Sequence, residues 1–203
     1  MAQTEVRVTR AGDSETGGLS RRQSQLRDQI LEIFLREGFA HLTLNDLARR
    51  LGCSKATIYT LADSKEQLVV GAIRLYFSRA TDAIEAVAAT ADTPAAQVGV
   101  YLGAVADELR PASPQFMTDL YAFKPGRRAY EVNTRIAGRR VREMIDQGVV
   151  DGAFRDVNAA FVGEVVAATI VRIHHGDIAA ACNFTDADAF AELARVVLYG
   201  VVR

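Results

Sequence analysis

The sequence predicts an all-α protein of about nine helices, with a small N-terminal helix-turn-helix domain and a larger helical domain after it. Apolar residues recur at helical spacing along most of the chain. Capping residues and helix-ending glycines divide that pattern into segments. A third observation is negative, because the chain has no convincing β-hairpin signal.

Composition limits the class of protein. The chain has 203 residues, 49% of them apolar, and a net charge of −1, so it can build a core. The sequence has no apolar run of the roughly 18 residues that a membrane helix needs, and its start lacks the apolar segment of a secretory signal. We therefore expect a cytoplasmic protein with no membrane partner. The distant Cys53 and Cys182 predict neither a disulfide nor a metal site.

The chain divides into three parts. Residues 1–19 are rich in Gly, Ser, Thr and charges without an apolar period, which predicts a disordered arm. We place a helix-turn-helix DNA-binding domain at residues 20–66 and a ligand-binding and dimerisation domain at residues 67–203. Residues 21–55 carry seven basic and four acidic side chains, so the basic end suits a DNA contact surface.

The first three predicted helices are set by caps and glycines. Gly38 ends the first helix, whose apolar side chains share one face. Thr43 caps the second helix, Gly52 supplies a short turn, and Ser54 caps the third. Ile58 then anchors the third helix from its inner side.

A capping box and prolines bound the next helices. Ser64 and Gln67 form the box that opens the fourth helix. Pro94 and Pro114 stand in the first turns of the fifth and sixth helices. The Pro-Gly pair at 125–126 is predicted to break the chain before the seventh. The predicted helices cover about residues 20–36, 44–51, 55–61, 64–87, 93–110, 114–123, 127–147, 156–175 (capped by Asp156) and 185–201 (capped by Thr185 or Asp186).

The seventh predicted helix has an arginine-rich face. Glu131 with Arg135 and Arg139 with Glu143 stand at i, i+4 spacing, which predicts ion pairs on a solvent-exposed face. A second DNA site on this face is the less favoured interpretation.

The short turn between the second and third helices is the strongest functional signal. Such a pair places its second helix in the major groove, with the N-terminal half against base edges. Small side chains at Ala56 and Thr57 allow close approach to bases, and helix N-termini suit phosphates. A plain three-helix piece of a helical core is the alternative. The predicted DNA-contacting residues are Arg22, Thr43, Ser54, Lys55, Ala56, Thr57, Tyr59, Thr60 and Lys65.

Four short motifs lie within residues 27–70. They are Ile33-Phe34 with Gly38, Thr43-Leu44-Asn45-Asp46-Leu47-Ala48, Gly52-Cys53-Ser54-Lys55-Ala56-Thr57-Ile58-Tyr59, and Ser64-Lys65-Glu66-Gln67-Leu68. Together they resemble the N-terminal signature of the TetR family of transcriptional regulators. The resemblance implies an all-helical homodimer with a ligand-binding C-terminal domain that represses transcription by occupying an operator. Leu61 and Ala62 stand where the family often has bulkier residues, so the operator sequence and the recognition-helix angle are expected to differ.

The rest of the chain is expected to bind a small, largely apolar effector and to form a homodimer on a near-palindromic operator. The predicted cavity walls are Tyr101, Phe116, Met117, Tyr121, Phe123, Met144 and Phe161. By family analogy the last two helices meet their symmetry mates through Phe161, Val165, Ala168, Arg172, Phe190, Leu193, Val197 and Val201. The alternatives are ordinary core residues and stripes that pack inside one protomer.

Other chemistry lacks support in the sequence. It has no Ser-His-Asp pattern, phosphate loop or Cys-x-x-Cys motif, and the adjacent His174 and His175 point about 100° apart on a helix. We predict no enzyme activity, cofactor or metal. The alternative to a regulator is a helical ligand-binding or interaction protein with weak or no specific DNA binding. A regulator without an effector, or an activator, also remains open.

Overall fold

The computed structural model describes residues 20–202, and their regular structure is helical. An isolated antiparallel bridge joins Phe154 to Val202. The all-α prediction is confirmed, although the helices number ten within this range rather than nine. The predicted arm at residues 1–19 lies outside the described residues. The helices are α1 Arg21–Glu37, α2 Leu44–Arg50, α3 Lys55–Tyr59, α4 Lys65–Ala88, α5 Pro94–Leu109, α6 Pro114–Ala122, α7 Lys124–Val150, α8 Ala159–His174, α9 Asp177–Cys182 and α10 Asp186–Val201.

Three helix boundaries differ from the prediction. The short α9 was not predicted; it lies between the left-handed residues Gly176 and Asn183. α8 is capped by Asn158, which accepts a hydrogen bond from the backbone N–H of Phe161 at 3.0 Å, rather than by Asp156. α7 runs through the expected break at 125–126, because a proline in the first helical turn removes no intrahelical hydrogen bond.

The ion pairs of α7 also differ from the prediction. Arg140 pairs with Glu85 of α4, at 3.0 Å, and with Glu143, at 3.6 Å. A further pair joins Arg142 to Asp146. Neither of the two predicted i, i+4 pairs of this helix occurs among the ion pairs of residues 20–202. The Arg140 contact instead ties α7 to α4.

The buried side chains form two hydrophobic clusters. The first, here the N-terminal core, is built by α1–α4 and α6 together with Tyr130 of α7. The second, the C-terminal core, is built by α5, α7, α8 and α10 with Ala88 from the end of α4. α4 therefore runs from one core to the other. α6 belongs to the N-terminal core although it lies far beyond residue 66, where we placed the domain boundary.

The helices of the described range are all too short or too polar to span a lipid bilayer.

Candidate DNA-binding surface and effector cleft

The turn between α2 and α3 is tightly built. Leu47 of α2 and Ile58 of α3 are fully buried in the N-terminal core. Gly52 takes a positive φ of 61°, and the backbone N–H of Cys53 returns to the carbonyl of Ala48 at 3.0 Å. These contacts hold α3 at a fixed angle on α2, as a recognition helix requires.

The outer face of α3 carries the side chains predicted to touch DNA. Lys55, Ala56, Tyr59 and Thr60 are exposed, whereas Ile58 between them points into the core. The Lys55 ammonium lies 5.8 Å from the centre of the Tyr59 ring, within cation–π range. This face therefore offers a cation, a phenol and a small side chain to a partner.

Thr57 lies at one edge of that face and is half-buried. It lines a groove with Arg22 of α1 and Gly52 of the turn, so the structure brings Arg22 and Thr57 together. Its hydroxyl lies 2.9 Å from the hydroxyl of Ser54, which also accepts the Thr57 backbone N–H at 3.1 Å. Thr60 uses its hydroxyl inside the helix, donating to the Thr57 carbonyl at 2.7 Å.

Thr43 is engaged at the start of α2. Its hydroxyl donates to the Asp46 carboxylate at 2.6 Å and accepts the Asp46 backbone N–H at 3.1 Å. These hydrogen bonds, with the nearby charge of Arg49, lower the pKa of Asp46. The residue therefore fixes the beginning of α2, which is the capping role that the sequence predicts.

Lys65 differs from its prediction. Instead of a free point charge for phosphates, its ammonium donates a hydrogen bond at 2.8 Å to the carbonyl of Ala40, in the loop between α1 and α2. Burial lowers the pKa of Lys65, and the negative charge of Asp119 opposes that shift. In this structure Lys65 holds a loop of the helix-turn-helix domain.

The sequence interpretation missed Asp119 of α6. This carboxylate is 5% exposed and accepts the backbone N–H groups of Phe39 and Ala40 at 2.6 and 2.7 Å. Gln115 donates to its other oxygen at 2.8 Å. An acid three residues after Phe116, on the apolar face of a helix, is the signal that could have identified it. Asp119 therefore ties α6 to the helix-turn-helix domain.

Gly38 makes that contact possible. Its φ is +82°, a conformation that favours glycine. A Cβ atom at this position would lie 2.6 Å from a carboxylate oxygen of Asp119 and 2.7 Å from Cγ of Gln115. The glycine that ends α1 is therefore also the opening through which α6 reaches the loop.

A cleft lies where the two cores meet, among α4, α5 and α7. Its wall residues from the N-terminal core include Tyr76, Phe77 and Tyr130, and those from the C-terminal core include Tyr101 and Ile170. Its volume is about 70 Å³, well below the roughly 300–1,000 Å³ of typical small-molecule sites. A larger ligand therefore fits only if the walls move apart.

Most of the predicted cavity walls lie elsewhere, so the expectation that they share one cavity is wrong. Tyr101 does line the cleft. The others do not: Phe116 and Met117 are buried in the N-terminal core, Tyr121 and Phe123 pack at its edge, Met144 is buried in the C-terminal core, and Phe161 is 68% exposed on α8. Apolar periodicity marks a buried position but not the core to which it belongs.

The predicted dimer contacts separate into two groups. On α8, Phe161, Val165, Ala168 and Arg172 are exposed. On α10 the expectation is wrong for a partner surface, since the predicted residues are buried in the protomer's own C-terminal core: Phe190, Leu193, Val197 and Val201. α10 instead exposes other apolar side chains, Val196 at 61% and Tyr199 at 82%.

Comparison with known proteins agrees with this architecture. Residues 26–72 match the family of bacterial regulatory proteins called tetR. No match is found among curated protein sequences.

Solved structures share the fold over most of the chain. A transcriptional regulator from Cytophaga hutchinsonii ATCC 33406 has a TM-score of 0.73 at 15% identity, covering 91% of this chain and 100% of that one. A TetR/AcrR-family regulator from Thermobifida fusca YX-ER1 has a TM-score of 0.67 at 18% identity, covering 89% and 98%. A protein from Saccharomonospora viridis, solved in complex with choline, has a TM-score of 0.74 at 17% identity, covering 91% and 100%.

These identities are low, so the structural likeness shows the fold alone. The sequence match of residues 26–72 adds the helix-turn-helix domain. By that domain and by the all-helical fold that carries it, the chain belongs to the TetR family of bacterial regulatory proteins.

Proposed function

We propose that this protein is a transcriptional repressor that binds a near-palindromic operator as a homodimer and is released by a small, largely apolar effector. The observation that carries the proposal is the recognition helix. α3 presents Lys55, Ala56 and Tyr59 to solvent while Ile58 anchors it in the N-terminal core. Family membership makes the protein a DNA-binding regulator rather than an enzyme.

In the proposed complex the N-terminal half of α3 enters the major groove. Ala56 and Thr57 approach base edges, and Lys55, Tyr59 and Arg22 contact phosphates. Leu61 and Ala62, the departures from the family pattern, pack against the N-terminal core. Their packing supports a well-held recognition helix and so favours the regulator over a protein that no longer grips DNA.

A second copy of the chain is the proposed cover for exposed apolar side chains near the C-terminus. Phe161 and Val165 of α8 and Val196 and Tyr199 of α10 are exposed, and α8 and α10 contact each other. Apolar side chains gathered on adjacent helices are typical of an interface. A twofold axis through them would present two α3 helices to two half-sites of a near-palindrome.

The position of the cleft supports release by an effector. A ligand larger than about 70 Å³ must separate walls that belong to different cores. α4 and α6 would carry that displacement to the helix-turn-helix domain, α6 through Asp119 and its hydrogen bonds to Phe39 and Ala40. The S. viridis protein of the same fold was solved with choline, which supports a small-molecule effector here.

The test is retention of DNA from upstream of the protein's own gene, at two salt concentrations and with random DNA as competitor. Specific retention at a near-palindrome is expected, and an effector must then weaken operator binding by the same factor by which operator weakens effector binding. Binding that is equally weak on all DNA and lost at the higher salt would overturn the proposal and favour the helical interaction protein.

A further inference from the structure

Four aromatic side chains line the cleft between the cores: Tyr76, Phe77, Tyr101 and Tyr130. Burial raises the pKa of all three tyrosines, that of Tyr101 to about 12 with a further contribution from Glu85. Their rings therefore stay neutral at ordinary pH. A neutral aromatic face carries a negative quadrupole and attracts cations.

The charged wall residues of the cleft are acids. They are Glu85 and Glu108, and the described wall residues include no Lys, Arg or His. Glu85 is neutralised, because Nε of Arg140 lies 3.0 and 3.1 Å from its two carboxylate oxygens.

Glu108 is different. Its backbone carbonyl accepts the hydroxyl of Tyr76 at 2.9 Å. Its half-buried carboxylate makes no ion pair or hydrogen bond within residues 20–202. The aromatic cleft therefore has one uncompensated negative charge at its wall.

We propose that the effector is an organic cation, with an apolar, preferably aromatic, body and one positive head group. The head group lies at Glu108 and the body lies against the tyrosine rings. This inference rests on the effector role proposed for the cleft and adds the chemical class of the ligand.

The alternatives fit the walls less well. An anion would meet an unpaired carboxylate and no cationic side chain. A neutral ligand of the same shape would bury the Glu108 charge without a partner, which is unfavourable. A cation removes that problem, so Glu108 selects the sign of the charge.

The test uses two probes with tetrahedral head groups of similar size and opposite charge, benzyltrimethylammonium and phenylmethanesulfonate. Their affinities are measured by calorimetry on the full chain and on two variants. Glu108→Gln removes the selecting charge without changing side-chain shape. Asp107→Asn is the matched control: it removes an equal charge one residue away, from an exposed side chain that pairs with Arg110 rather than lining the cleft.

The full chain should bind the ammonium at least about tenfold more tightly than the sulfonate. Glu108→Gln should abolish most of that preference, and Asp107→Asn should keep it. Equal affinities, a preference for the sulfonate, no binding of either probe, or a preference unchanged in Glu108→Gln would overturn the inference.

Retention of upstream DNA by the same preparations separates this inference from the proposed function. A protein that holds its operator but shows no preference for the ammonium refutes the cation site alone. One that prefers the ammonium but holds no DNA refutes the regulator and leaves the cation site standing.

Discussion

The two cores are packed by different means. In the N-terminal core, rings meet edge to face, with Phe39 and Phe116 at 6.0 Å and Tyr76 and Phe116 at 5.9 Å, and the buried Asp119 adds directional hydrogen bonds. In the C-terminal core, which is mostly aliphatic, α7 and α8 approach closely at Gly138 and Gly163. Edge-to-face rings and charged hydrogen bonds favour one arrangement. Orientational specificity is therefore concentrated where the angle of α3 must be held.

Removing the polar contact of the N-terminal core should have the largest effect. Asp119→Ala leaves the N–H groups of Phe39 and Ala40 without their acceptor, so we expect a loss of about 2–4 kcal/mol in the free energy of unfolding, measured by urea titration. Operator affinity should fall as well. The control is Asp107→Ala, an exposed acid of α5, which should change neither quantity by more than about 0.5 kcal/mol. Equal losses in the two variants would contradict a structural role for Asp119.

The C-terminal core should respond to added volume. A Cβ at Gly138 would lie 2.9 Å from Cβ of Ala167 and 3.1 Å from the carbonyl oxygen of Gly163. Gly138→Ala should therefore destabilise the protein by about 1–3 kcal/mol.

Gly103 of α5 provides the matched control, since a Cβ there meets nothing within 4 Å. Gly103→Ala should stabilise the protein by about 0.5–1 kcal/mol, because glycine is unfavourable inside a helix. Thermal unfolding of both variants measures the difference in sign; two variants of the same sign would show that helix propensity or crowding has been misjudged.

The recognition helix can be probed without disturbing either core. Lys55→Ala should weaken binding to all DNA sequences and lower the salt dependence of log K by about one per lost phosphate contact. Tyr59→Ala should also weaken binding generally, with Tyr59→Phe showing how much depends on the hydroxyl. Thr57→Ala should instead relax sequence preference. Competition binding at several salt concentrations checks all four variants, and unchanged binding in every case would mean that α3 is not the recognition helix.

The smallest expected effect lies at the surface of the N-terminal core. The hydrogen bond from Arg50 holds the pKa of Glu37 below its usual value of 4.5. Since the folded-state pKa is the lower one, this pair stabilises the protein above about pH 4.5, and the stabilisation is lost as the pH falls through the folded-state pKa.

Glu37→Gln should therefore cost less than about 1 kcal/mol at neutral pH and nothing in acid. Unfolding titrations across that range measure it. Glu32→Gln, which removes an exposed acid of the same helix, should show no such pH dependence; if it does, the effect belongs to net charge.

Local features of the fold could be predicted from the sequence because they depend on neighbouring residues. The side chains of Thr43, Ser54 and Ser64 each accept the backbone N–H three residues later, as expected of N-caps. The inward position of Ile58 and the outward position of Lys55 follow from helical period alone.

Features that depend on distant partners could not be predicted. Phe190 and Leu193 form an apolar stripe, but the stripe does not say whether it faces another helix of the same chain or a second copy. Asp119 and Lys65 find their partners, Phe39 and Ala40, in one loop far away in sequence. The composition of the cleft likewise appears only when Glu108 and Tyr130 are brought to the same wall.

The small volume of the cleft has a consequence for how the protein would respond to an effector. With only about 70 Å³ between the walls, the binding-competent form is a minority of the unliganded population. The apparent dissociation constant is then larger than that of the open form by the inverse of the open fraction. A substitution that makes opening easier, without touching any ligand contact, would therefore lower the concentration of effector at which the protein leaves DNA. Sensitivity can thus be adjusted at residues that never meet the ligand.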